Sequence, residues 1–187
     1  MDFRSGDCDD LSILTCSVLE AGGIETAFIT VPGHIYTAFR IDMDQREALS
    51  FFAYPDDLIF QDGRVWIPIE ATALSSGFLR AWQLGARQWK ENAAKKQAVL
   101  LPIHEAWRLY EPVAMATSDV KVAVPASSAI DQRYQATMQK FTERDLGPRE
   151  KELSARIATN RNDAKLQNRL GVLYARFGQF DKAEQRF

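Results

Sequence analysis

The sequence predicts an α+β protein: a helix that carries a cysteine, packed on a small antiparallel sheet, followed by an α-helical segment. Three observations predict it. Short runs rich in β-branched and aromatic residues lie between residues 24 and 69 and are punctuated by Pro32-Gly33 and Asp62-Gly63, the residue types of tight turns. A helical pattern that opens next to Cys8 precedes them. From Ile130 to the end the pattern is helical and charged.

The elements follow in order. Residues Asp9 to Ala21 read as a helix, with Leu11, Leu14, Val18 and Ala21 as its apolar stripe and Gly22-Gly23 as its stop. Ile24 to Val31 reads as a strand, and Pro32-Gly33 turns the chain. His34 to Ile41 is a second strand, with Ile35, Thr37, Phe39 and Ile41 on one side and His34, Tyr36, Ala38 and Arg40 on the other. Leu58-Ile59-Phe60 and Val65 to Ile69 flank Gln61-Asp62-Gly63-Arg64 and read as a hairpin. Pro68 lacks an N–H, so it needs an edge or a backbone site without a ladder bond. Ser75 is placed to cap a helix from Ser76 to about Ala94, with Phe78, Leu79, Trp82, Ala86 and Trp89 near one face. Ala98 to Tyr110 holds another short apolar piece, with Trp107 and Tyr110 at helical spacing.

Residues 113–128 change to Ala, Ser, Thr and Val with Pro125, the composition of a linker. Helices are expected from Ile130 to Asp145 and from Pro148 to Thr159, with Pro148 in a first turn. Asp163 to Phe187 reads as helix, turn at Gly178, helix. The expected organisation is a domain over 1–112, a linker over 113–128 and a helical segment over 129–187.

Composition bounds the function classes. The 187 residues are enough for one domain with a core, or for one domain plus a small helical appendage. Apolar residues make up 46% and charged residues 26%, as in an ordinary globular protein. A net charge of -2 gives no electrostatic reason to expect nucleic acid or an anionic membrane, and no apolar run is long enough to span a bilayer. Cys8 and Cys16 are the two cysteines. On one helix they lie two turns apart, roughly 12 Å by the helical rise, too far for a disulfide.

The chemistry-bearing residues are Cys8, His34 and Glu70. Cys8 stands at the N-terminus of the first helix, where free backbone N–H groups and the helix dipole favour a thiolate and can hold an oxyanion. His34 opens a strand, and Glu70 closes another. Thiol, imidazole and carboxylate are the parts of a nucleophilic cysteine site. Each alone has a plainer explanation: a buried structural thiol, a histidine bonded to a carbonyl, a solvated glutamate. Asp9 and Asp10 complement the helix dipole but oppose a second negative charge beside Cys8. Cys16 reads as core. Trp66, four residues before Glu70, is a candidate to line the groove, while Trp82, Trp89 and Trp107 are expected to seal helix against sheet.

Taken together, these stretches resemble the transglutaminase-like superfamily of papain-related cysteine enzymes. The resemblance rests on Gly6-Asp7-Cys8-Asp9-Asp10-Leu11-Ser12, Ala21-Gly22-Gly23-Ile24-Glu25-Thr26, Gly33-His34-Ile35-Tyr36 and Val65-Trp66-Ile67-Pro68-Ile69-Glu70-Ala71-Thr72. It covers about residues 3–75, and more loosely extends to Pro112. It implies a papain-like core in which Cys8 is the nucleophile, His34 the general base and later the acid, and Glu70 the residue that orients His34. The family more often has aspartate at that third position. The last segment resembles a tetratricopeptide repeat through Leu170, Gly171, Tyr174, Gly178, Phe180, Ala183 and Phe187, over about two thirds of one repeat, whose period is about 34 residues. One repeat cannot bury its own faces, so further repeats are expected in the intact protein.

The resemblance implies a thiol acyl-transfer enzyme acting on a protein or peptide amide, by hydrolysis as in many bacterial members, or by transfer to an amine. The alternative is a catalytically weak or inactive domain that serves as a protein-binding scaffold, with the repeat helices recruiting a partner. No cofactor is expected. A metal site on Cys8, His34 and a carboxylate lacks a fourth ligand and the usual short cysteine spacing. The chain opens seven residues before Cys8 and stops at Phe187 inside a helical pattern, so helical residues ahead of Cys8 and any signal segment are expected to be missing. The compartment stays open, an extracytoplasmic (periplasmic) one included.

Overall fold

The computed structural model describes residues 6–111 and 123–187. The described chain forms seven α-helices and one five-stranded antiparallel sheet. It divides into two compact units, one of residues 1–45 and 56–130, the other of residues 46–55 and 131–187. Residues 46–55 thus group with the helical unit and not with the expected first domain over 1–112.

The first unit is built on the sheet. Helix α1 (Cys8–Ala21) is followed by β1 (Thr26–Val31), β2 (His34–Ile41), β3 (Ile59–Gln61), β4 (Arg64–Ile69) and β5 (Val99–Pro102), in the spatial order β3-β4-β2-β1-β5. Val31 pairs with His34 across the Pro32-Gly33 turn, and Gly33 takes a positive φ of 71° that suits glycine. β4 pairs with β2 along Thr37↔Ile69 to Ile41↔Val65. β3 pairs only up to Ile59↔Trp66, so Pro68 lies beyond the reach of that neighbour, as its missing N–H requires. β5 extends the sheet past β1, in a stretch whose pattern alone reads as a short apolar piece.

His34, Tyr36 and Ala38 belong to the inner face. Tyr36 and Ala38 pack with Ala27, Ile29, Ile59, Leu100 and Trp66 in one buried cluster. Trp66 is 1% exposed, so it is a core residue and lines no groove. Trp82 is fully buried and its indole N–H donates to the Asp57 carbonyl at 2.7 Å. Trp107 instead is 44% exposed on α4 (Ile103–Leu109), contrary to the expected sealing role.

Helix α3 runs Phe78–Ala93, with Gly77 at its N-cap. Ser75 and Ser76 sit in a short 3-10 turn over Ala71–Ser76, so Ser75 does not cap it. Gly85 lets α3 approach β4 closely: a Cβ there would lie 2.8 Å from the Pro68 carbonyl oxygen. The expected stripe of α1 is also displaced. Ser12 and Cys16 are its buried residues, whereas Leu14 and Val18 are 60% and 63% exposed.

The second unit is helical. It takes α2 (Gln45–Phe51) from Arg46 onward, α5 (Ser127–Thr159) from Asp131 onward, α6 (Ala164–Arg176) and α7 (Phe180–Glu184). Its core joins Leu146, Leu153, Ile157, Leu166, Leu170, Leu173, Tyr174 and Ala183. Phe51 stacks on Phe177 at 4.5 Å, and fully buried Asp145 accepts the Ala53 N–H at 2.9 Å. α5 is continuous through Pro148, where two helices were expected. Pro148 removes one backbone bond, but Leu146 and Leu153 on either side of it are buried in the core and hold the turns together. Helix α5 also begins at Ser127, inside the expected linker, of which residues 113–122 lie outside the described residues. Gly171 lies against the Phe187 ring, where a Cβ would meet carbon at 2.9 Å. Among the described residues no helix is long and apolar enough to cross a membrane.

Candidate active site

Cys8 is the first residue of α1. Asp7 caps the helix: its Oδ1 accepts the N–H groups of Asp9 and Asp10 at 3.1 and 3.2 Å. The cap explains the sharp start of the helix and occupies two of the donors that a helix N-terminus offers. The Cys8 thiol is partly exposed and donates to Asp9 Oδ1 at 3.4 Å. Among the described residues it makes no hydrogen bond to His34.

The side of the sheet that Cys8 faces follows from the helix period. Ser12, one turn on, is fully buried and its hydroxyl donates to the Ile35 carbonyl at 3.4 Å. Cys16, a further turn on, is 2% exposed, with its sulfur 4.0 Å from the Ala27 carbonyl oxygen. Cys8 lies one helical turn before Ser12, whose hydroxyl meets the carbonyl of Ile35, the residue that follows His34 in β2. Burial pushes the Cys16 thiol up to about 11, with a bond from Thr26 opposing and the Glu20 charge adding, so Cys16 is a structural thiol.

The structure brings His34 and Glu70 together. His34 Nε2 lies 2.7 Å from Glu70 Oε2. The other carboxylate oxygen accepts the Thr72 N–H at 3.2 Å and the Thr72 hydroxyl at 2.7 Å. Glu70 is 3% exposed. Burial alone would raise its pKa, but the bonds from Thr72 and His34 outweigh that and hold the carboxyl below its ordinary value. An ionised carboxylate only accepts, so Nε2–H donates to Glu70, and in the neutral ring Nδ1 is the free acceptor. The glutamate, longer than aspartate by one methylene, reaches the ring because β4 ends at Ile69 and the 3-10 turn begins at Ala71, with Glu70 as its cap.

Two neighbours were not foreseen from sequence. Tyr36, two residues along β2 and on the same face as His34, stacks on it with ring centroids 5.8 Å apart. Burial and the Glu70 charge raise the Tyr36 phenol above its ordinary range, so it stays protonated. Thr72 is the second; the spacing Glu70-x-Thr72 at the end of a strand was the available signal. A cavity of about 520 Å³ opens beside His34 and Glu70, walled by Val31, Leu84, Gln88 and Asn92. Gln88 Oε1 is buried there with no partner among the described residues.

Among the described residues no group of three or more His, Cys, Asp and Glu side chains is placed to hold a metal ion. What the arrangement offers is an imidazole fixed in one tautomer by a carboxylate that is itself fixed, at the end of the sheet that the cysteine-bearing helix face approaches. No protein-family model matches this chain, and comparison with curated proteins and with solved structures gives no match.

Proposed function

We propose that this chain carries a transglutaminase-like, cysteine-dependent acyl-transfer site that hydrolyses peptide or isopeptide amide bonds. The observation that supports it most is the 2.7 Å contact from His34 Nε2 to a Glu70 carboxylate clamped by Thr72. A histidine that needs only a carbonyl partner does not require an ionised carboxylate with two further donors on it. The clamp leaves Nδ1 as base toward Cys8.

In the proposed reaction His34 Nδ1 takes the Cys8 proton and the sulfur attacks the amide carbonyl carbon. The tetrahedral oxyanion is held by the Cys8 N–H, since Asp7 occupies the next two amides. His34 returns the proton to the leaving amine as the C–N bond breaks, leaving acyl-Cys8. Water, deprotonated by His34, then cleaves the thioester and releases the acid. Glu70 stays ionised throughout and stabilises the imidazolium. In this reading α6 and α7 are part of a tetratricopeptide-type array that binds a protein partner, with Gly171 admitting the Phe187 ring.

A second reading, a scaffold module without turnover, draws on the Cys8 thiol donating to Asp9 instead of His34. Iodoacetamide separates the two. The enzyme reading expects Cys8 alkylation at pH 6.5 to be faster than in His34→Ala by at least roughly tenfold. Equal rates in the two proteins would leave the scaffold.

A further inference from the structure

The helical unit of residues 46–55 and 131–187 has one concave face of unusual charge. Arg46 from α2, Arg149 and Arg156 from α5, and Arg169 and Arg176 from α6 surround a cavity of about 440 Å³. Glu152 is the one acidic residue of its wall. Five positive charges thus face one negative charge, on a chain whose net charge is -2.

The carboxylates within reach are stretched thin. Glu152 is shared by Arg149 at 3.7 Å and Arg156 at 3.8 Å. Arg176 reaches Glu47 only at 4.0 Å and Ser50 Oγ at 3.3 Å. Arg46 and Arg169 are exposed and have no carboxylate within ion-pair distance among the described residues. Arg149 is the fixed member: its Nη2 donates to the carbonyls of Leu49 and Phe52 at 2.7 and 2.9 Å. Its Nε is buried with no partner among the described residues. Between the guanidinium groups the floor is apolar and open, with Leu49 43% and Val172 38% exposed.

Like charges gathered on a concave wall repel one another and focus a positive potential into the groove, which an anion relieves. We propose that this groove binds an acidic segment of a partner protein, its carboxylates taken by the arginine forks and an apolar side chain laid on Leu49 and Val172. Guanidinium groups match carboxylates in a two-bond geometry, and the size falls within the range of ligand clefts, roughly 300–1,000 Å³. A nucleic acid would also answer the charge. The lining, however, has no aromatic ring for a base to stack on, and its apolar floor suits a leucine-like side chain better than a phosphate. The proposal is independent of the cysteine chemistry and gives the helical unit a ligand of stated character.

The test is fluorescence anisotropy on the full chain carrying Cys8→Ala, which prevents turnover of the probe. The probe is a short fluorescein-labelled peptide of alternating Glu and Leu; its comparators are the Gln/Leu peptide and a single-stranded oligonucleotide. The acidic peptide should bind, the Gln/Leu peptide should not, and added salt should weaken binding. Arg46→Ser with Arg169→Ser, which removes two exposed charges that hold no carboxylate, should weaken it about five- to tenfold. Lys140→Ser with Lys151→Ser removes the same charge from residues that do not line the groove and should leave affinity within about twofold. Equal binding of the two peptides, equal losses in the two double variants, or binding of the oligonucleotide without the acidic peptide would each overturn the proposal. None of these results bears on whether Cys8 is activated.

Discussion

Replacing Glu70 by Gln separates a catalytic clamp from a structural one. Gln keeps the volume of Glu and keeps a carbonyl oxygen for the Thr72 N–H and hydroxyl, which now meet Glu70 Oε1 at 3.2 and 2.7 Å. The amide nitrogen then faces His34. An amide N–H is a donor, so His34 Nε2 must become the acceptor and the ring proton moves to Nδ1. Nδ1 is the atom that the proposed reaction needs free, so the variant is folded but lacks its base.

The stability cost follows from the contacts. One bond to an ionised acceptor becomes a bond between neutral groups, and the two Thr72 bonds become neutral as well. Charged hydrogen bonds contribute about 1.5–3 kcal/mol and neutral ones about 0.5–1.5 kcal/mol. A net loss of about 1–2 kcal/mol is expected after the smaller desolvation cost of the amide is set against it. For a chain of this size that lowers Tm by roughly 2–8 °C. The assay is the iodoacetamide rate at Cys8 at pH 6.5, read by mass spectrometry of the Cys8 peptide, beside a thermal melt. Cys16 stays silent, being 2% exposed with its thiol pushed up to about 11. The expected result is a loss of rate of at least roughly tenfold with a modest Tm change. A lowered Tm with an unchanged alkylation rate would refute the reasoning and make the His34–Glu70 pair structural.

Further outcomes follow from the same contacts. The folded state holds the Glu70 pKa below its unfolded value of 4.5, so the folded protein binds fewer protons in that window. The stability contributed by Glu70 is therefore full above about pH 4.5 and lost as pH falls through the lowered folded value, and denaturant curves of wild type and Glu70→Gln should converge on acidification. Gly85→Ala puts a methyl 2.8 Å from the Pro68 carbonyl oxygen and 3.0 Å from the Ile69 nitrogen, both backbone, so α3 must move off β4; a cost of about 1–3 kcal/mol should appear in urea unfolding. Asp7→Ala leaves the Asp9 and Asp10 amides uncapped and should cost about 1 kcal/mol in the same measurement. Ser12→Leu places a branched side chain where the hydroxyl now meets the Ile35 carbonyl, and should lower Tm and Cys8 alkylation together by prising α1 from the sheet.

The strands were legible because each signal was local. β-branched runs bounded by Pro32-Gly33 and Asp62-Gly63 fall on β1 to β4 with shifts of one or two residues at their ends. What stayed hidden depended on partners far along the chain. β5 is four residues long and is a strand only because Ala27 to Thr30 offer it an edge. Helix α2 has seven residues, and its buried members, Ala48 and Phe51, find their neighbours in the helical unit: Phe51 stacks on Phe177. Pro148 reads as a helix start, but packing of Leu146 and Leu153 carries one helix through it. Trp66 shows the same limit: nearness to Glu70 in sequence suggested a groove, yet the side chain belongs to the face that the sheet buries.

The misread face of α1 is the most instructive case, because small residues take the place that the leucines were expected to fill. An apolar stripe of Leu14 and Val18 would hold the helix axis away from the sheet by the length of those side chains. The helix instead turns the small residues Ser12 and Cys16 inward, and each meets a backbone carbonyl of the sheet, that of Ile35 or of Ala27. Small residues let the helix backbone come close to the sheet, and Cys8 stands one turn before Ser12 on that helix. Hydrophobic periodicity cannot find such a face, since serine and cysteine do not score as a stripe. The spacing Ser12, Cys16, read as small residues one turn apart, would have found it, since these two rather than the leucines are the residues that the sheet receives.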